Sequence, residues 1–276
     1  MWAFNSIFGK LFDILFLPFR GLNSPWWGML AISLLTGLLM LLIFKVTSNQ
    51  SGIRRTKDRI KAHLLEMRLY SDSMRNQFKA MGGILKANFK YMSHSLKPLL
   101  FMFVPVVLIL IQLNFWFAYR SLEPGEAALF KVTLKESINP METEVRLQPA
   151  PGLTIETPSV RIEEEGEVDW RISFTEVGLH TLEIAVGSER VTKTVAVAVR
   201  PLSRLSPLRL EKEFLGEVTY PTERPLEKDS AVSRIEVVYP SSGLPFLGWN
   251  MHWLIAFFGL SIVFGFSLKG LFGVEI

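Results

Sequence analysis

The stretch Ser95–Leu110, SLKPLLFMFVPVVLIL, decides how the rest of the chain is read. It is nearly all hydrocarbon, yet it carries Lys97 and Pro98 near its start and Pro105 two turns further on. In water, a proline inside a helix costs about 3 kcal/mol, because it removes a hydrogen bond and clashes with the preceding turn. In lipid the same residue is tolerated where neighbouring helices or water satisfy the freed carbonyl. The pattern predicts a membrane span with Pro98 in its first turn, where a missing N–H costs nothing. Pro105 is then expected to kink the span and free a carbonyl near Phe101.

Working outward, two further apolar runs match this one. The expected spans are residues 26–46, 98–120 and 246–269, each reaching across a hydrocarbon core of roughly 30 Å at about 1.5 Å per residue. The absence of cysteine excludes disulfides, thiolate metal sites and cysteine catalysis. Charge is segregated by segment. From Lys45 to Lys97 there are twelve Lys/Arg against three acids, a net +9; from Arg120 to Leu244 there are fifteen against twenty-one, a net −6. The first of these loops is short enough for the positive-inside rule. It is therefore expected in the cytoplasm, with the amino terminus outside, the acidic domain outside and the carboxyl-terminal tail, 270–276, inside. Lys45, at the inner end of the first span, snorkels to the headgroups.

Residues 1–25 place Phe4, Ile7, Phe8, Leu11, Phe12, Leu15 and Phe16 at helical spacing around Lys10 and Asp13. That is the pattern of an amphipathic helix lying in the headgroup plane, or of one packed on the protein's own spans. Pro18, Gly21, Asn23 and Pro25 end it before Trp26 and Trp27, an aromatic anchor for the first span.

Residues 47–97 have a helical rhythm. Ile53, Ile60, Met67, Met74 and Met81 recur every seventh residue, and Leu64, Phe78 and Leu85 fall between them, as in a coiled-coil seam. A single helix of this length runs about 75 Å and does not return to the membrane. The loop must therefore fold into a hairpin, turning at Tyr70-Ser71-Asp72-Ser73, which offers N-caps, or at Gly82-Gly83. Arg54, Arg55, Lys57, Arg59, Lys61, Arg68, Arg75 and Lys79 form its docking candidates. They suit attraction to anionic lipid, or docking of ribosomal RNA or an acidic partner.

A span, a basic helical hairpin, then Ser95-Leu96-Lys97-Pro98-Leu99-Leu100, Pro105 and a return span resembles the YidC superfamily of membrane insertases. The likeness is greatest to its three-span branch, the archaeal YidC-like proteins and the insertase subunit of the ER membrane protein complex. Ser48-Asn49-Gln50 and the basic run Arg54 to Lys61 match how that branch opens its hairpin. The resemblance covers 26 to about 119. It implies a groove, open to cytoplasm and lipid, that eases polar flanks of nascent segments across the bilayer. Ser33, Thr36, Lys45, Lys97, Pro98, Phe101 and Pro105 are its expected groove residues. Bare interhelical hydrogen bonding is the alternative role for Ser33 and Thr36. The groove arginine of bacterial members is absent here; Lys45 is the first span's only base.

Residues 121–200 read as β-structure. Short alternating or β-branched runs are separated by Asn139-Pro140, Pro151-Gly152, Gly166, Gly178 and Gly187-Ser188, at a spacing that suggests an Ig-like sandwich. Residues 201–245 shift to Pro, Arg and Glu and are expected as an extended linker with a final strand. The three-span relatives have only a short connection at this place.

The expected fold class is thus an α-helical membrane protein. It has three transmembrane helices, a cytoplasmic helical hairpin and an inserted extracytoplasmic all-β domain. No metal-binding H-E-x-x-H, phosphate-binding glycine loop or nucleophile elbow occurs, so neither enzyme activity nor a cofactor is expected. The expected role is a YidC-like insertase or assembly chaperone in a bacterial inner membrane. Its expected partners are lipid, nascent or assembling membrane proteins, the ribosome and other subunits, and not DNA. The alternative is a structural subunit that docks partners through the β-domain.

Overall fold

This computed structural model describes residues 2–22, 24–199 and 202–275, with side chains described from residue 6 onward. The expectations for Phe4 and Asn23, and for the boundary at Arg200, fall outside the described residues. In chain order the first four helices are α1 (Trp2–Phe16), α2 (Trp26–Thr47), α3 (Gln50–Leu69) and α4 (Met74–Phe117). A β-region follows, with strands β1 (Ala128–Leu134), β2 (Val145–Leu147), β3 (Leu153–Ile155), β4 (Val160–Ile162), β5 (Glu167–Phe174), β6 (Gly178–Val186) and β7 (Glu189–Val197). The chain then runs through β8 (Leu208–Leu210), α5 (Phe214–Thr219), β9 (Val232–Val237), β10 (Leu244–Phe246), β11 (Trp249–Met251) and α6 (Trp253–Leu268). It divides into two compact units: Met1–Gly28 with Leu110–Trp253, and Met29–Ile109 with Leu254–Ile276.

In the helical unit, α3 starts because Asn49 caps it, its side chain accepting the Gly52 N–H at 2.9 Å. The helix closes at Tyr70, whose N–H reaches the Glu66 carbonyl, and α4 starts at Met74. The hairpin therefore turns at 70–73, the first of the two places expected. Its inner face differs from the expected seam. On α3, Ile53 and Thr56 are buried, while on α4 the buried positions are the small Ala80 and Ala87. At Gly83 a Cβ would stand 2.6 Å from the His63 ring, so a larger residue there has to displace that ring. Met74, Phe78, Met81 and Leu85, placed in the seam by their seven-residue rhythm, instead point outward and are more than half exposed.

A second correction concerns Pro98. It does not open a helix: α4 runs unbroken for 44 residues, with both Pro98 and Pro105 inside it. Hairpin arm and span are one element, and Pro98 is buried within it. Among the described residues, α2 and α4 are the two helices long and apolar enough to cross a membrane. The third apolar run is shorter than 246–269. Its first residues form the β10–β11 hairpin, and α6 keeps 16 residues, about 24 Å.

In the other unit, the β-region is an antiparallel sandwich. One sheet has the order β3-β5-β1-β9-β8, with β4 also on β5; the facing sheet is β2-β6-β7. Alternation sets the faces: β1 buries Ala128, Phe130, Val132 and Leu134 and turns the residues between them outward. Trp170 and Ile172 of β5 join the same core as Leu182 and Ile184 of β6 and Val195 of β7. Gly187-Ser188 closes the β6–β7 hairpin in two residues, and Gly187 has φ +56°, as that tight turn demands.

The stretch expected as a linker is part of this domain. β8 pairs with β9, and Leu205 and Leu226 enter the core. Lys193 on β7 ties it down. Its fully buried Nζ donates to the Ser206 carbonyl at 2.5 Å, Ser206 Oγ at 3.0 Å and Glu223 Oε1 at 2.9 Å. Burial pulls the Lys193 ammonium below its ordinary pKa, and Glu223 opposes that pull.

Helix α1 belongs to the same unit and packs one face on α4. Phe12 and Phe16 are buried, and the Phe16 ring lies 4.6 Å from that of Trp116. Asp13 bridges Arg20 at 3.1 Å and Arg204 at 3.5 Å. The opposite face, with Ile7, Leu11 and Ile14, is exposed, as are Phe214 and Leu215 on neighbouring α5.

Candidate functional site

Within the helical unit, α2, α4 and α6 surround a cavity of about 250 Å³. The local sequence explains its shape. At Gly37 a Cβ would lie 2.9 Å from the Ser261 carbonyl oxygen and 3.2 Å from the Gly265 nitrogen, so α2 and α6 touch backbone to backbone. Around that contact the larger Met40, Phe44, Met102, Phe257 and Phe266 hold the helices apart, and the space opens between them. Ser261 and Gly265 stand four residues apart, a small-x3-small spacing suited to close packing, whereas nothing in α2 marks which of its glycines faces α6.

The lining is carbon except for the hydroxyls of Thr36 and Ser261. Neither hydroxyl makes a hydrogen bond, and neither does that of Ser33, buried a turn away on α2. Helical Ser and Thr commonly bond back to a carbonyl four residues earlier. A buried hydroxyl left without a partner costs about 1–3 kcal/mol. The cavity thus presents an apolar wall, with two unpartnered hydroxyls enclosed behind it.

The expected groove residues do not converge. Thr36 lines the cavity and Ser33 is buried near it. Phe101 instead sits at a shallower hollow with Leu42, Ile43, Val46 and Thr47. Lys45 and Lys97 are exposed, and Pro105 is half-buried inside α4. Sequence reasoning missed Gly37, Met102 and Phe257.

The hairpin displays its bases. Arg54, Arg55, Arg59, Lys61, Arg68, Arg75 and Lys79 are all exposed. Lys57 is partly withdrawn: its Nζ lies 3.5 Å from the Glu275 carboxylate, while the Gln50 side chain accepts the Glu275 N–H at 2.7 Å. The carboxyl-terminal tail is thereby held against α3.

An apolar stripe runs beside these bases on α4. Met74, Phe78, Met81, Leu85, Phe89, Met92, Leu96, Leu99 and Phe103 are each between 53% and 71% exposed.

No protein-family model matches the chain, and no curated protein matches it. Among solved structures, domains 4 and 5 of the S-layer protein SbsC align at 25% identity with a TM-score of 0.24. The alignment covers 29% of this chain and 47% of that one, so the chain spans about half the length of that structure. A likeness of this size assigns neither fold nor function.

Proposed function

We propose that the chain is a YidC-like membrane protein that helps other membrane proteins insert or assemble, without catalysis and without a cofactor. It sits in a bacterial cytoplasmic membrane with α2, α4 and α6 as its spans, the hairpin in the cytoplasm and the sandwich outside. The observation that carries the reading is the cavity between three apolar helices, lined by apolar side chains, with the partnerless hydroxyls of Thr36 and Ser261 buried behind its wall. A guest helix that parts these helices buries its apolar face, and one small polar group on it then satisfies those hydroxyls. The short α6 adds to this. At about 24 Å it under-spans a core of roughly 30 Å, and a mismatch of that kind thins the bilayer beside it. The exposed bases of the hairpin suit ribosomal RNA or anionic lipid.

A second reading, a scaffold subunit, is favoured by Phe214 and Leu215, which stand exposed on α5 and offer the sandwich an apolar contact for another subunit. One experiment separates the two. Photocrosslinking residues at Thr36 and Ser261 in the full chain, in membranes, are expected to yield adducts with many nascent membrane proteins. A single constant adduct, unchanged when translation is blocked, would instead establish the scaffold.

A further inference from the structure

The apolar stripe on α4 has no role in the cavity. From Met74 to Phe103 its members follow one another at three or four residues, close to the 3.6-residue period of a straight α-helix. The stripe therefore runs along the helix axis without winding round it, for about 44 Å. Methionine and phenylalanine supply six of its nine residues, and flexible, polarizable methionine surfaces accept varied apolar partners. Arg75, Lys79, Lys86, Lys90 and Lys97, all exposed, fall about a third of a turn round the helix, along one edge of it. No acid occurs between Met74 and Phe103.

We infer that this stripe is a docking rail for a partner α-helix that is apolar on one face and bordered by acidic residues. The inference rests on the reading of α4 as a span. Three observations select the occupant. The near-helical repeat matches side chains packing against a second helix laid alongside. The single basic edge calls for carboxylates on the partner and makes a second copy of this chain, with the same five bases, a repelling one. The unbroken α4 also sets the stripe along the axis of the span, so a bilayer surface, lying across that axis, touches only its foot. At that foot, from Leu99 onward, the exposed residues are Leu99, Leu100, Phe101, Phe103 and Val104, and no charge occurs through Phe117. A helix on the rail is thus handed from water to lipid without leaving apolar contact.

The test uses the full chain in neutral-lipid nanodiscs, with a benzophenone amino acid in place of Phe78 or Phe89, and in place of Lys61 on α3 as the off-stripe control. The probe is a synthetic leucine–alanine helix flanked by aspartates, beside a lysine-flanked twin. Adducts are expected from positions 78 and 89 with the aspartate-flanked probe, and not from 61. Its affinity is expected to fall about tenfold in the Phe78→Ser, Phe89→Ser double variant. Equal labelling from 61, equal binding of the lysine-flanked twin, adducts between two copies of the chain, or binding only when anionic lipid is added would each overturn the inference. If labelling holds but client insertion is absent, the rail stands and the insertase reading falls. If insertion proceeds with no adduct at 78 or 89, the rail alone falls.

Discussion

The two units bury opposite things. In the sandwich, Phe130, Val132 and Ile172 are wholly enclosed, and two of the deepest polar groups, Lys193 and Tyr239, have partners. Lys193 makes three hydrogen bonds, and the Tyr239 hydroxyl accepts the Ala196 N–H at 2.8 Å. In the helical unit, Phe78, Phe89 and Phe103 face outward, while the Ser33 and Thr36 hydroxyls are enclosed without partners. The difference teaches which surroundings each unit is built for. The sandwich turns its large aromatic side chains inward, as a water-facing fold requires, whereas the helical unit turns many of them outward, a surface suited to apolar surroundings.

The sharpest way to break that comparison is a pair of matched truncations. Phe130→Ala is expected to cost the sandwich about 3–5 kcal/mol, the usual range for emptying a buried aromatic site. Phe103→Ala is expected to change stability by less than about 0.5 kcal/mol, as at an exposed position. Amide hydrogen exchange on the full chain reads both units at once, and equal losses would mean that the outward phenylalanines have partners within the chain.

Lys193→Ala comes next, because it strands Glu223 beside a vacated buried site. Removing one partner of a buried pair costs about 3–5 kcal/mol, and the higher exposure of Glu223 sets the expectation at the lower end. The expected signature is loss of exchange protection in β7 and β8 together, since Lys193 joins β7 to the segment that leads into β8. Loss confined to β7 would show that Ser206 and Glu223 hold that segment without the ammonium. In the helical unit, Gly37→Leu drives carbon against the Ser261 carbonyl and is expected to cost about 1–3 kcal/mol by overpacking. A neutral result would mean that α2 and α6 separate at little cost there, as a groove that admits a guest requires.

Much of the sandwich was legible because strand burial leaves a period of two that needs no partner to read. The alternating Ala128, Phe130 and Val132 announce both strand and inner face. The hairpin turn was legible because Ser71 to Ser73 supply caps. What escaped reading depended on a surface elsewhere in the chain. The seven-residue rhythm of Met74 and Met81 is real, but an apolar stripe marks only that some neighbour is apolar, and here it is not α3. Ala80 and Ala87, which do face α3, carry no hydrophobic signal. Pro98 misled because its first-turn preference holds for helices that start, whereas this one was already running from Met74. Thr36 was legible as a polar group at membrane depth; the cavity it lines took shape only through Gly37 meeting Ser261.

The smallest expected effect concerns a buried carboxylate of the sandwich that lacks one of its partners. Asp169 on β5 is largely buried. Its Oδ2 lies 3.7 Å from the Lys131 Nζ, and its Oδ1 makes no hydrogen bond. Burial outweighs Lys131 and raises its pKa above the ordinary aspartate value. Glu126 behaves oppositely: a two-pronged pairing with Arg120, at 2.7 and 2.8 Å, holds its pKa below the ordinary glutamate value. The signs then differ. A carboxyl with a raised folded pKa contributes stability that is present below its unfolded pKa and lost as pH rises through the folded one. One with a lowered folded pKa contributes stability that is present above its unfolded pKa and lost as pH falls through the folded one. On acidification, protonation of Asp169 is therefore expected to offset part of the stability lost at Glu126. Asp169→Asn removes the offset and steepens the acid decline, while Arg120→Gln removes the Glu126 contribution and flattens it. Each change is expected to be about 1 kcal/mol or less, as exposed and half-exposed pairs are worth. Carboxyl carbon NMR titration gives both directions. If Asp169 titrates below the ordinary aspartate value, its buried oxygen has found a partner, and the sandwich holds no unsatisfied carboxylate at that site.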